Sequence, residues 1–584
     1  MALNIVNMDR VDALLADPNF GNVTFGWSSA GSKDLHWWGN YATLQEAVAY
    51  VHGRQTIQFG GIVERTRALE VQITPTAISY ASLSQFLANT PSSFTLALHS
   101  FPTGQQPTTN TRFQYGAYFQ DDVRVSKELT LNLGVRYDYF TVPTEVQNRI
   151  FNRYLDPNNP QLGPGFGPII NQYYNSDHTQ LQPRVGLAYN LFGRGQTVLR
   201  AGFAKMSMGP TFYETVTEDY ELGPTLPFAV SMNQGQTQAS GLRYPYNANG
   251  YVADLTKLEG AGVISSNLPV TAAINLHFPD PYSLQWMFGV QQTLPLGMTL
   301  EADYNGNRGL HENFNETVNQ PNRVTGIAPV PSFGKVNLLT DTDRSKYAAL
   351  QVNLRKRLQH GVLFATGLTW ARVSAFGAAE NLEQSAPQDP YNFHADFGPA
   401  PFDIRVRSVT HAIWDVPLTK WTGTTGRVPK LLLDGWQISG VFTAQTGLPA
   451  NVTNAASANA TDRPDAAGGG ISPYLSGYQS GIHQYLNPAT FVMVPISSLS
   501  SEQIRPGNLS NQAVRIPGFQ NLDLTLAKSF SLTERFRLQL RADTFNTLNH
   551  TNLGGLITTI NTSTFGQLTT ATARSMQIGA RLSF

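Results

Sequence analysis

Residues 113–139 read FQYGAYFQDDVRV, then SKE, then LTLNLGVRYDY. In the first run Phe113, Tyr115, Ala117, Phe119, Val123 and Val125 occupy every second position, with Asp121 as the one interruption. Gln114, Tyr118, Gln120, Asp122 and Arg124 fall between them. The second run repeats the pattern, with Leu129, Leu131, Leu133, Val135, Tyr137 and Tyr139 alternating with Thr130, Asn132, Gly134, Arg136 and Asp138. Successive side chains of a strand point to opposite faces, so each run has one oily and one wet face. Ser126-Lys127-Glu128 is short enough to make the two runs a hairpin. In a soluble sandwich the oily face meets a second sheet. In a transmembrane barrel it meets lipid, the wet face lines the lumen, and tyrosines at a strand end form an interfacial girdle.

The unit recurs outward from this hairpin. Val185, Leu187, Tyr189 and Leu191 turn at Gly193-Arg194-Gly195 into Thr197, Leu199, Ala201 and Phe203. Tyr282, Leu284, Trp286, Phe288 and Val290 turn at Pro295-Leu296-Gly297 into Met298, Leu300, Ala302 and Tyr304, with Thr299, Glu301, Asp303 and Asn305 between them. Leu350, Val352 and Leu354 turn at His360-Gly361 into Phe364, Leu368 and Trp370. Leu522, Leu524, Leu526 and Phe530 turn near Thr533-Glu534 into Phe536, Leu538, Leu540 and Ala542. Long segments rich in Gly, Pro, Asn, Ser and Thr separate the hairpins, at about 141–180, 205–281, 306–346, 373–405 and 446–518. Short turns alternating with long loops are the expected asymmetry of an outer-membrane barrel and are unusual inside a compact soluble domain.

Composition agrees. Only 14% of the 584 residues are charged, against roughly 25% in soluble proteins. Aromatics reach 11%, yet hydrophobic residues are only 41% and mean hydropathy is −0.22. A helical membrane protein would need apolar runs of about 18 residues or more, and none occurs. Zero net charge gives no electrostatic case for nucleic acid as a partner. The absence of cysteine removes thiolate catalysis, Cys-ligated zinc and disulfides.

The chain closes on Met576, Ile578, Ala580, Leu582 and Phe584, alternating with Ser575, Gln577, Gly579, Arg581 and Ser583. A final amphipathic strand ending in Phe looks like the signal read by barrel-assembly machinery.

The stretch GAYFQDDVRVSKELTLNLGVRYDYF at 116–140 is similar to a recurring segment of TonB-dependent receptors, with Gln120, Asp121, Asp122, Arg124 and Val125 matching and Val123 in place of the usual Trp. An Oar-like subgroup is indicated by resemblances at 53–65 (GRQTIQFGGIVER), 282–309 (YSLQWMFGVQQTLPLGMTLEADYNGNRG) and 402–407 (FDIRVR, with Val406 where the pattern has His). Further ones lie at 435–449, 516–530 and 541–553. The resemblance implies an all-β, transmembrane antiparallel barrel of about 22 strands with short periplasmic turns and long extracellular loops, located in the outer membrane of a Gram-negative envelope. The expected division is a stub at 1–20, a remnant of a plug or linker, and a barrel at 21–584. Residues 1–20 do not read as a secretory signal peptide. The signal, a regulatory-like domain and the plug of the family are therefore expected to be missing from this chain. Implied partners are outer-membrane lipid, the assembly machinery, an unknown solute, and TonB only if a plug and TonB box lie upstream.

No catalytic, cofactor or metal residue is assigned. G-x-S-x-G, H-E-x-x-H and G-x-x-x-x-G-K-S/T are all absent. The glycine-rich Gly163-Pro-Gly165-Phe-Gly167-Pro168 lacks the helix start that a phosphate loop needs. Asp341 and Asp343, and His394 and Asp396, read as solvated loop charges before they read as a cation site. Asp122, Arg124, Arg136, Asp138, Glu301 and Asp303 are the candidate lumen-lining residues, expected to pair laterally across strands or to meet a plug. Two functions fit: transport of a large solute (oligosaccharide, peptide or protein, or metal chelate), and a plugless scaffold or adhesion barrel presenting its loops.

Overall fold

The computed structural model describes residues 3–4, 23–26, 34–73, 77–80, 82–97, 108–146, 152–153, 169–170, 172–210, 229–240, 272–318, 320–328, 336–376, 387–389, 391–424, 426–479, 483–533 and 535–584. Of the 1–20 stub only Leu3–Asn4 is described, and the glycine-rich segment 163–168 lies outside the described residues.

One sheet holds eighteen strands. Three are pieces of two or three residues, Thr144–Glu145, Ala272–Ile274 and Gly398–Pro399. The other fifteen form a wall. In chain order they are β1 Asp34–His52, β2 Gln55–Ile73, β3 Thr108–Arg124, β4 Leu129–Phe140 and β5 Leu181–Leu191. Next come β6 Thr197–Ser207, β7 Tyr282–Leu294, β8 Met298–Val318, β9 Val336–Gln359 and β10 Val362–Ala375. The last are β11 Val406–Val416, β12 Trp436–Gln445, β13 Phe519–Ser531, β14 Arg537–Phe545 and β15 Ser575–Ser583. Each pairs antiparallel with the next, from β1–β2 to β14–β15.

The register keeps the two faces apart. One row runs Val123, Leu131, Leu187, Ala201, Phe288, Tyr304, Leu350, Trp370 across eight strands. The row three residues away, of opposite parity, runs Gln120, Gly134, Arg184, Ala204, Gln285, Asn307, Tyr347. A slip of one residue would exchange the faces, and none occurs in these rows. The apolar row is open to its surroundings, with Phe288 54% and Trp370 64% exposed. An apolar face of this extent has no place in water and needs lipid or a second layer. Aromatic rings mark its loop end, where Phe113, Tyr115, Tyr139 and His178 stack in sequence at 6.1, 6.4 and 4.6 Å.

Turn chemistry sorts the ends. At one end the connections 53–54, 125–128, 192–196, Pro295–Gly297, 360–361 and 532–536 have five residues or fewer, and 417–435 alone is longer. His360 and Gly361 take φ of 55° and 77°, the left-handed pair that closes a two-residue hairpin. At the other end lie 74–107, 141–180, 208–281, 319–335, 376–405, 446–518 and 546–574. This is the asymmetry expected of an outer-membrane barrel, in which the short-turn end is periplasmic and the long-loop end extracellular.

The described wall strands number fifteen; the expected value of about 22 concerns the whole barrel. One expectation changes in detail. The loop expected at 306–346 is mostly strand, because β8 continues to Val318 and β9 begins at Val336. Polar residues stand on both faces of this hairpin, and its few apolar ones, such as Phe314 and Leu339, are buried under loops, so alternation vanishes from its sequence.

The long loops have cores of their own. Tyr173, Tyr174, Ile274 and Phe278 pack on Leu339 of β9, and Val452, Leu486 and Val514 pack with Phe565 from the loop after β14.

Candidate functional site

The six candidate charges all lie on the polar face, because Asp122, Arg124, Arg136 and Asp138 share a row parity across β3 and β4, as do Glu301 and Asp303 with Gln291 and Gly289. Their pairing differs from the expected lateral pattern. Arg136 binds Asp138 of its own strand, donating from Nε to Oδ2 and from a terminal nitrogen to Oδ1, both at 2.6 Å. Asp138 also accepts from Gln182 of β5 at 2.5 Å and from Gln114 of β3 at 3.3 Å. Gln182 passes the network on, its Oε1 accepting from the Ser207 amide at 3.1 Å, and Ser207 Oγ donates to Gln180 at 2.6 Å. Two residues apart on a strand is the spacing that keeps both side chains on one face, so the fork of Arg136 reaches the carboxylate without leaving the wall.

Asp122 takes amides, from Asn132 at 2.7 Å and Gln120 at 3.1 Å. Glu301 alone meets a cation across a strand boundary, Arg355 of β9 at 3.7 Å. Asp303 lies over Gly289, where a Cβ would come 2.0 Å from its Oδ1. Arg124 sits at the short-turn end of β3. Gln114, Gln180, Gln182 and Ser207 carry no sequence signal beyond parity. The Arg-x-Asp spacing does, and it recurs on the same face of β14, where Arg541 binds Asp543 at 2.7 Å.

Between these groups the polar face is hollowed. Gly134, Gly186 and Gly202 leave β4, β5 and β6 without side chains, beside a depression of about 570 Å³ that Gln120, Asn132, Arg184, Gln285 and Tyr347 also line. On the other face Gly306 makes room for a neighbour, since a Cβ there would fall 2.2 Å from the Trp286 ring.

The extracellular loops are tied by buried ion pairs. Asp403, fully buried, receives Arg405 at 2.9 Å, Arg515, and the Val373 amide at 2.7 Å. This gives the FDIR stretch a structural task. Asp396 binds Arg463 at 2.5 Å and the Gln388 amide at 2.8 Å, while His394 packs on Phe393 at 4.3 Å. Asp462 binds Arg323 at 2.9 Å, and Asp341 meets His311 at 2.8 Å. The acids weighed as cation ligands at 341 and 396 are thus committed to basic side chains. Among the described residues no cluster of three metal-ligating groups occurs. A second hollow, about 260 Å³, opens in this crown beside Asn322, Tyr391 and Arg505.

A wall with one lipid-compatible face, short turns at one end and folded loops at the other is matched at the level of sequence family, where residues 7–577 fit the model described as outer membrane beta barrel domain. The chain belongs to that family. The barrel domain is therefore placed in the outer membrane, its apolar face against lipid. Among solved structures, the outer membrane transporter YddB from Escherichia coli is 11% identical, with a TM-score of 0.50 over 94% of this chain and 55% of that one. The ferric citrate transporter FecA in its unliganded form (11%, TM-score 0.42, 94% and 55%) and the copper transporter OprC (10%, 0.42, 94% and 58%) are further matches. At such identities the likeness concerns the fold. The barrel domain spans about half the length of these structures. No curated protein sequence matches it.

Proposed function

We propose that this barrel domain is the wall of a TonB-dependent-type transporter of the Oar-like kind, which moves a large solute across the outer membrane when joined to its plug. The carrying observation is the polar network from Asp138 and Arg136 through Gln182 to Ser207 beside the glycine-floored hollow. Asp122, Arg124, Arg136, Asp138, Glu301 and Asp303 line the lumen in this reading, as a hydrogen-bonding surface for a plug or for passing solute. The crown hollow at Tyr391 and Arg505 is where solute is first held, since an aromatic face and a guanidinium suit sugars and peptides. Met576, Ile578, Ala580, Leu582 and Phe584 form the assembly signal. In support, Ile578 is 84% and Phe584 93% exposed, on a strand that bonds to β14 and to no other described strand.

The test is uptake of labelled oligosaccharides, peptides and ferric chelates by cells making the full-length protein, with and without a protonophore. Accumulation that needs both the protein and the proton-motive force is expected. Surface attachment that disappears on deleting the crown loops, with uptake of every solute unchanged, would replace transport by the scaffold reading.

A further inference from the structure

Six of the seven described connections at the periplasmic end are tight turns, but 417–435 carries two short helices, α1 Leu418–Thr422 and α2 Arg427–Leu433. Their seat is unusual. Val416, Trp436, Lys528 and Leu540 form one row of the wall, and Trp414, Ile438, Leu526 and Ala542 form another. Both rows belong to the lipid face. Three of these outward side chains hold the helices. Trp436 Nε1 donates to the Leu432 carbonyl at 2.9 Å, and the Trp414 and Trp421 rings meet at 5.8 Å. Lys528, buried, donates to the carbonyls of Leu431 (2.9 Å) and Asp434, capping the end of α2 while lying over the Phe530 ring at 4.7 Å. The helices are therefore tied to the outside of the barrel rim, where the leaflet begins.

What they present fits that place. Trp421, Val428 and Leu432 are 63%, 67% and 59% exposed, beside the exposed ammonium groups of Lys420 and Lys430. Leu and Val side chains left in water there would forfeit their burial energy, whereas the helices that carry them are seated on Trp414, Trp436 and Lys528 of the lipid-facing rows of β11–β13. Tryptophan prefers the headgroup level, and lysine stems lie along apolar surface while the charge reaches phosphate.

We propose that α1 and α2 form an interfacial anchor that binds anionic phospholipid of the periplasmic leaflet, with Trp421, Val428 and Leu432 in the acyl boundary and Lys420 and Lys430 on lipid phosphates. Continuity with the lipid face selects lipid over a soluble partner, and the two lysines select anionic headgroups. The anchor would fix the depth and rotation of the rim without taking part in solute passage.

The test uses the absence of cysteine in this chain. Val428→Cys, and separately Leu432→Cys, are nitroxide-labelled in the full-length protein and reconstituted in phosphatidylethanolamine vesicles containing phosphatidylglycerol. Collision with oxygen is compared with collision with a soluble nickel chelate. Phe288→Cys on the lipid face and Leu499→Cys in the crown are the controls, and heat-modifiable gel migration confirms folding. Expected is a several-fold excess of oxygen collisions at both helix sites, as at residue 288, and a shift towards water on adding Lys420→Glu and Lys430→Glu. Nickel access equal to that at residue 499, with residue 288 still in lipid, overturns the anchor and leaves a soluble partner. Unchanged depth after charge reversal overturns the phosphate contact. Water exposure at residue 288 would overturn the membrane placement of the wall itself.

Discussion

Arg136 and Asp138 close a two-point ion pair along a single strand, both bonds at 2.6 Å, and Asp138 is only 2% exposed. Because the same carboxylate also accepts from Gln114 and Gln182, it joins three adjacent strands. Asp138→Ala strips four hydrogen bonds at once and leaves a guanidinium without its counter-ion. A loss of about 3 kcal/mol is expected, read as a lower urea midpoint for the folded gel band. Arg541 and Asp543 repeat the geometry in a more open setting, with Arg541 52% exposed. Asp543→Ala should shift the midpoint less, and an equal or larger shift would show that burial does not set the strength of this motif.

Asp403 is the corresponding anchor in the crown. It holds the loop after β10 to Arg515 in the loop after β12, and to the Val373 amide on the wall. Asp403→Ala leaves two guanidinium groups facing each other without their carboxylate, a change of about 3–5 kcal/mol when the site is buried. The expected result is rapid proteolysis in 391–405 and 483–515 with the wall strands still protected. Loops that stay resistant would mean the neighbouring Asp396–Arg463 and Asp462–Arg323 pairs hold the crown without Asp403.

The parts of this fold legible in the sequence are those where lipid and water face each other across one strand. Leu129–Tyr139 alternates because each side meets a different solvent, and every apolar position read there lies on the apolar face. The reading fails where that contrast ends. In β1 the side facing Gly60 and Gln58 carries Ala47 and Ala49, and Glu46 falls among the apolar positions Leu44, Val48 and Tyr50, so no period survives. Residues 306–318 fail for the opposite reason, polar groups standing on both sides with Phe314 as an isolated buried ring. Parity alone placed Asp138, but its partners Gln114 and Gln182 lie far along the chain, and glutamine is unremarkable in a loop-rich sequence. Nothing in 417–435 marked a helical insertion tied to Lys528.

The buried carboxyl of Asp280, in the loop that enters β7, makes stability depend on pH. Burial first, and then the Asp177 carboxylate, push its pKa from 3.8 to about 8, against a weaker opposing pull from Arg112. A carboxyl raised in the folded state favours folding while it is protonated. Its contribution is complete below about pH 4 and falls steadily as pH rises to about 8, above which it is flat. Burial pushes the Asp177 carboxyl up, but hydrogen bonds from Thr179, the Asp280 amide and Gln180 together outweigh it and shift the group downward, so its own loss falls below this window. Hydrogen exchange at 172–180 and 272–281 should therefore quicken from pH 5 to pH 8 beyond the intrinsic rate, and Asp280→Asn should abolish the excess. An excess that persists in the variant would assign the effect to another group.

The edges of the wall set the last expectation. β1 begins at the loop end and runs to the short turn at 53–54, and β15 begins after the loop 546–574 and also runs to the short-turn end. The two edge strands thus point the same way, as they must in an odd-numbered meander of fifteen. No pairing joins them among the described residues. Bare edges are not tolerated in hydrocarbon, and single-chain bacterial barrels close with an even number of antiparallel strands. Direct closure of β1 on β15 would be parallel. A second copy in the same orientation would also offer only parallel edges. Antiparallel closure needs an odd number of further strands between them. Cysteine pairs that step Gln45, Ala47 and Ala49 against Gln577, Gly579 and Arg581 should give no disulfide in the membrane-embedded full-length protein. A cross-link at one consistent parallel register would show that the fifteen strands close on themselves.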